Sequence, residues 1–339
     1  MHRLRPPIAF ALALLIAALT EAKAPGDESA NTPGRKPKNA EDLATWLARM
    51  KAHAFSRAEM AAATGLGENE LPAPESIAAT KFPTDRLAVL PYPGGRHPRI
   101  GFLDGAVNPQ RETKMSVFLP WNEKHYIVAD VPEAIWWDRK APETAERGNR
   151  ELLYLAHTHI PTYWDRQSVA LEPLEWSPDG NGGWVMERRL PNGVTFGTRI
   201  VPLSSHVAME QWIVNGTGML LTGLRVQNCV MLKGAPEFAA QTDTDKVYSP
   251  PYAACRDESG KRWVIVAWSD CQRAWGNTQC PCLHSDPRFP DCPPGATSRL
   301  RGWLSFYEGD AIEAEFQRIE GTGWRNRQPA NAPASPTPP

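Results

Sequence analysis

Two histidines stand two residues apart in LLYLAHTHIPTYWD, residues 152–165, and the same stretch closes on a tryptophan and an aspartate. An imidazole titrates near neutrality and serves as acid, base or metal ligand. On a strand, successive side chains alternate between faces. That alternation puts Leu153, Leu155, His157 and His159 on one face and Leu152, Tyr154, Ala156 and Thr158 on the other. His157 and His159 would then work side by side, with Asp165 the nearest carboxylate and Trp164 a flat face for a pyranose ring. H-x-H alone is a weak ligand pattern, so no metal and no cofactor is assigned. Histidines at a strand end equally suit hydrogen bonds to loop carbonyls.

Other polar groups sit where strands or long connections should be. Arg96 and Arg99 lead RHPRIGFLDGAVNPQRETK, residues 96–114, and arginine forks grip carboxylate or sulfate groups. Within that run an ion pair such as Arg99 with Asp104 is the plainer reading. In LRVQNCVML, residues 224–232, alternation places Arg225, Gln227, Cys229 and Met231 opposite Leu224, Val226, Asn228 and Val230. Arg225 and Gln227 in mid-strand need hydrogen-bond partners, supplied by a neighbouring strand or by a ligand.

All six cysteines fall in the last third of the chain, from Cys229 to Cys292. An even number in an exported chain favours disulfides. The rival is a zinc site from Cys280, Cys282, Cys292 and His284, without the usual paired C-x-x-C knuckles. The loop WGNTQCPCLHSDPRFPDCPPG, residues 275–295, has too little apolar surface for a core, so disulfides are expected to order it and to hold His284 and Asp286 at a pocket rim. No nucleophilic serine or cysteine motif and no phosphate-cradling glycine loop is present.

These groups need a scaffold. MHRLRPPIAFALALLIAALTEAKA, residues 1–24, reads as a basic start, a short apolar run and small residues before a cleavage site, which predicts a periplasmic or secreted protein without stable membrane insertion. A formal net charge of −1 without a basic cluster argues against nucleic acid as a partner. Thirteen tryptophans in a strand-rich exported chain suit carbohydrate as the partner, although each alone is better explained by core packing. Residues 25–38 and 326–339 are polar, proline-bearing and expected to be disordered. Residues 39–75 predict a helical hairpin, capped by Asn39 with Asp42 and by Ser56 with Glu59. From 84 to 320, ten or more short β-rich runs without helical patterning predict one large antiparallel β-sandwich, so the chain is expected to be mainly β.

HVAMEQWIVNGTGMLLTGLRVQNCVML, residues 206–232, joins two strands through an N-G-T turn, and PPGATSRLRGWLSFYEGD, residues 293–310, feeds a long closing strand. These stretches resemble the galactose-mutarotase-like superfamily of sugar epimerases, polysaccharide lyases and glycosidase accessory domains. HPRIGFLDGAVNPQRETK and CPCLHSDP are also similar to a group of exported bacterial proteins of unassigned function. The superfamily resemblance implies a supersandwich whose concave face carries histidines and a late carboxylate. Here those are His157, His159 and Glu308, without the N-H-x-Y-F-N motif of the epimerases. The implied function is an exported carbohydrate-active or carbohydrate-binding protein, with proton transfer at a sugar carbon as its chemistry. His157, His159, Asp165 and Glu308 are the acid, base or ligand candidates, and Arg96, Arg99, Trp164, Arg225, Gln227 and His284 the substrate-binding ones. The alternative is a non-catalytic glycan-binding or cell-surface module, and the two differ in whether these groups converge on one cavity.

Overall fold

A computed structural model describes residues 35–100, 107–108, 111–139, 149–156 and 160–327. Residues 1–24, expected to direct export, and His157 and His159 lie outside the described residues. Both helix caps form as the sequence indicates. Asn39 Oδ1 accepts the Asp42 N–H at 2.8 Å and starts α1 (Ala40–Ala52). Ser56 and Glu59 exchange capping bonds at the start of α2 (Arg57–Thr64), which stops on Gly65 in the left-handed region. Arg35, inside the stretch expected to be disordered, pairs with Glu175 at 2.9 Å.

Six strands follow: β1 (Val89–Pro91), β2 (Gly95–Arg96), β3 (Val107–Asn108), β4 (Lys114–Leu119), β5 (Asn122–Arg139) and β6 (Asn149–Leu155). After the single-turn α3 (Tyr163–Arg166) come β7 (Ser177–Pro178), β8 (Trp184–Arg189), β9 (Val194–Pro202), β10 (His206–Asn215) and β11 (Thr222–Met231). The last third holds β12 (Lys246–Ser249), β13 (Tyr252–Arg256), β14 (Arg262–Trp268), β15 (Cys271–Gly276), β16 (Cys282–Pro287), β17 (Thr297–Glu308) and α4 (Ile312–Gly321). Among the described residues they make two large antiparallel sheets. One runs β1-β4-β5-β11-β16-β15, with β6 on the distal half of β5, and the other runs β12-β13-β14-β17-β10-β9-β8-β7.

The main core lies between the sheets, where Leu224, Val226 and Val230 of β11 meet Phe196, Val264, Leu300 and Leu304 of the other sheet. Buried polar groups cross this core as matched pairs, because an unpaired one would cost the desolvation of that group. Gln211 and Asn228 exchange amide hydrogen bonds at 2.8 and 3.1 Å. Ser285 donates to the Pro251 carbonyl at 2.7 Å and accepts the Trp268 N–H at 2.9 Å.

Each sheet also has a buried patch on its outer face. The α1–α2 hairpin lays Trp46, Leu47 and Met50 against Phe118, Tyr126, Cys229 and Met231. Helix α4 lays Ile312, Phe316 and Ile319 against Tyr252, Trp263 and Trp303. The molecule is thus a sandwich with helical covers on both sides.

Three departures from the sequence reading bear on the site. Strict alternation fails in β6, where Ile135 pairs with Tyr154 but Trp136 pairs with Leu152. Leu153 is the extra residue of a bulge, so Leu153 and Tyr154 both face the main core, while Leu152 and Leu155 share the outer face with Ala134. Second, the loop expected at 275–295 contains β16, which pairs with β11 on one side and β15 on the other. Ladder hydrogen bonds order that segment. Third, all six cysteines are free thiols, and none is bridged.

Candidate functional site

Strand β11 presents Arg225, Gln227, Cys229 and Met231 to the outer face of its sheet, in the alternation read from the sequence. The antiparallel β16 presents Asp286, His284 and Cys282 beside them, with Cys229 directly opposite His284. At one end this double row runs under the helical hairpin. Its other end opens into a cleft of about 360 Å³ whose lining includes Trp136, Arg150, Arg225, Gln227, Arg273 and Asp286. Gly223 shapes the approach: it takes φ +65 at a register shift that begins β11, and a Cβ there would fall 2.1 Å from the Asp138 carboxylate.

The cleft is polar, with three guanidinium groups, two amides (Gln227 and Gln272), one carboxylate and an indole. Most of these side chains are held by neighbours. Gln227 donates to Glu133 at 2.7 Å. Asp286 accepts the Trp275 indole N–H at 2.6 Å and lies 3.3 Å from Arg273. Burial pushes the Asp286 carboxyl up, against the opposing pull of His284 and the Trp275 bond. Arg225 differs from these: its Nη1 is buried and has no hydrogen-bond partner among the described residues.

Behind the cleft floor is a sulfur and imidazole cluster. The ligand atoms of Cys229, Cys282 and His284 all lie within 4.8 Å of one another, and all three residues are buried. Cys282 Sγ is 3.1 Å from His284 Nε2, and the Cys280 thiol lies near that of Cys282 but outside the group of three. His284 Nδ1 points the other way, 3.8 Å from a carboxylate oxygen of each of Glu133 and Asp286, and its ring stacks on Trp275 at 4.0 Å. Burial would depress the His284 imidazole, but Cys229, Glu133 and Asp286 outweigh it and raise it to about 9. Glu133 emerges where β5 carries extra residues opposite Gln227–Cys229, and it also pairs with Arg99.

Of the described residues singled out in the sequence, Arg225, Gln227, His284, Asp286, Cys280 and Cys282 gather here, and Arg99 joins them through Glu133. Arg96, Asp165, Trp164 and Glu308 lie elsewhere. Arg96 holds Glu59 by two bonds of 2.7 and 2.8 Å and so ties β2 to α2. The Asp165 carboxylate caps α3, accepting the Thr162 N–H and O–H at 2.7 Å each. Trp164 is buried with its indole N–H on the Leu153 carbonyl at 2.8 Å, which leaves no face for a sugar ring. Glu308 ends β17 on the other sheet, exposed and 3.5 Å from Arg262. Asp104, the partner first expected for Arg99, lies outside the described residues. The zinc set read from the sequence is also not assembled as such: Cys292 pairs its backbone with Leu221, and its thiol faces the Ala296 carbonyl at 3.4 Å.

Cys229, Glu133 and Trp136 were not marked by the sequence reading as site groups. They lie far from residues 280–286 in the chain, and only the pairing of β5, β11 and β16 brings them together. A second hollow of about 350 Å³ on the other sheet contains His206, Trp303, Arg301 and Arg318. Its chemistry is largely satisfied within the fold: Arg301 pairs with Glu210, Arg318 with Glu315, and His206 stacks on Trp303 at 3.5 Å.

No protein-family model matches the chain, and no curated protein matches it in sequence. Its shape is similar to solved structures that include a candidate mutarotase (YeaD) from Salmonella typhimurium, 11% identical, with a TM-score of 0.31 over 58% of this chain and 88% of that one. A candidate aldose 1-epimerase from Klebsiella pneumoniae is 10% identical, with a TM-score of 0.29 over 66% of this chain and 64% of that one. A heparan sulfate lyase (HepC) mutant from Pedobacter heparinus is 8% identical, with a TM-score of 0.33 over 79% of this chain and 42% of that one. Likenesses this loose carry no assignment of substrate or activity.

Proposed function

We propose that the protein binds an acidic carbohydrate, bearing uronate or sulfate groups, in the cleft over β11, β15 and β16. The observation that carries this reading is Arg225, a guanidinium whose buried Nη1 has no partner among the described residues, at the wall of an open polar cleft. An anionic oxygen would satisfy that donor, and Arg150 and Arg273 would add charge beside it. Trp136 supplies an apolar ring face, and Gln227 and Gln272 supply amides for hydroxyl groups. The sequence resemblance to the galactose-mutarotase-like superfamily agrees with a sugar ligand.

Binding is favoured over catalysis because the described acid and base candidates do not converge. Asp165 is engaged in a helix cap and Glu308 belongs to the other sheet. Proton transfer at a sugar carbon is a second reading with one observation in its favour: Asp286 faces the cleft with its carboxyl raised by burial, the direction a general base requires. A periplasmic or secreted location, from residues 1–24, belongs to the same proposal, and N-terminal sequencing of the exported protein tests it.

The decisive measurement is titration of the full chain with uronate-bearing and sulfated oligosaccharides and with their neutral counterparts. Arg225→Gln is expected to weaken binding of the acidic ligands by about 10- to 100-fold, the worth of a charge-assisted hydrogen bond. Arg262→Gln, on the opposite sheet, is expected to leave it unchanged. Equal binding of neutral ligands, or wild-type affinity in Arg225→Gln, overturns the reading. The same oligosaccharides monitored for an unsaturated or epimerised product, with Asp286→Asn as control, decide the second reading.

A further inference from the structure

We propose that Cys229, Cys280, Cys282 and His284 form a tetrahedral centre for a single borderline-soft metal ion, zinc by preference. Three donors are already gathered: their ligand atoms lie within 4.8 Å of one another, and Cys282 Sγ is 3.1 Å from His284 Nε2. Cys280, on the chain that enters β16, lies near the Cys282 thiol but outside that group of three, so it would move inward on loading to supply the fourth position. Thiolate and imidazole donors in this ratio are a recurrent closed zinc site, and their softness disfavours calcium or magnesium.

The topology explains the convergence. Cys282 and His284 alternate along β16 onto one face, and β11 places Cys229 directly opposite His284. None of the three depends on a flexible surface segment. A metal-bound imidazole usually donates its second N–H to an acceptor behind it, which fixes the ring. His284 Nδ1 is buried, has no hydrogen-bond partner among the described residues, and faces carboxylate oxygens of both Glu133 and Asp286 at 3.8 Å. Trp275 stacks on the ring at 4.0 Å and limits its rotation.

A disulfide is the competing fate of these thiols. It would use two sulfurs and leave the third beside the imidazole, whereas one metal ion engages all four donors. On loading, the thiols and the imidazolium release their protons to solvent, the imidazole binds neutral through Nε2, and no oxidant is needed. The centre would tie β11, β16 and the chain entering β16 together beneath the helical hairpin, two residues from Asp286, the carboxylate that lines the cleft. It stands apart from the carbohydrate reading, because it needs no ligand in the cleft.

The test begins with the full chain purified under reducing conditions and loaded with zinc alone. Elemental analysis is expected to find one zinc per chain, retained in Cys271→Ser and lost in Cys282→Ser. Cobalt(II) in place of zinc is expected to give thiolate charge-transfer absorption in the near ultraviolet and the intense visible bands of a tetrahedral ion. This readout uses the wild-type chain and holds even if a cysteine variant does not fold. A cobalt spectrum without thiolate bands, zinc retained by Cys282→Ser, or peptide mapping that finds Cys229, Cys280 or Cys282 bridged in material never exposed to oxidant overturns the proposal.

Discussion

The buried histidine His53 shows how a single residue sets the chemistry of its surroundings. Its Nδ1 lies 2.7 Å from the Arg49 carbonyl, which can only accept, so that nitrogen carries the proton. Nε2 must then accept from the Ser116 hydroxyl at 2.7 Å, and the ring is neutral among Tyr92, Phe118 and Tyr126. Burial pushes its pKa down to about 3. The unfolded chain therefore takes up a proton below about pH 6.5 that the folded chain refuses until about pH 3, and stability falls as pH drops through that window. Glu59, held down to about 2 mainly by its Arg96 bond, adds a loss of the same sign below its ordinary range. Denaturant midpoints measured from neutral pH to acid are expected to fall in the wild type, with a shallower fall in His53→Gln. At this scale the sequence was informative where a polar residue sat in an apolar strand. Arg225 and Gln227 stood out for that reason, and both reach the cleft. Cys229 carried no such mark, because a cysteine in a strand passes as a small apolar residue.

Strands were legible wherever β-branched and aromatic residues were dense, as in VTFGTRIV and RWVIVAWS, which form β9 and β14. Strand β16 was not, since CLHSDP has one aliphatic residue, and its Ser285 hydroxyl finds its partners only once the sheet exists. Tight packing between strands is likewise visible only in three dimensions. Gly302 of β17 pairs with Trp268 of β14, and a Cβ at Gly302 would stand 2.8 Å from the fully buried indole. Its backbone is not left-handed, so the glycine is required for space. Gly302→Val is expected to cost about 1–3 kcal/mol in a denaturation measurement, the usual cost of overpacking a filled core.

For the whole molecule, the sandwich was predictable and its second cover was not. Helix α4 follows a long strand, and its apolar positions Ile312, Phe316 and Ile319 are too few to dominate a sequence profile, yet they close a patch containing Trp263 and Trp303. Deleting residues 312–327 is expected to expose that patch, raise binding of a hydrophobic dye and drive the protein into aggregates, measured by light scattering. The bulge at Leu153 has a broader consequence. One surplus residue works as a phase shifter: it exchanges inside for outside for every side chain farther along the strand without changing a letter of the pattern. Family motifs transferred between sandwiches by counting positions arrive on the proper face only when such surplus residues have been counted too.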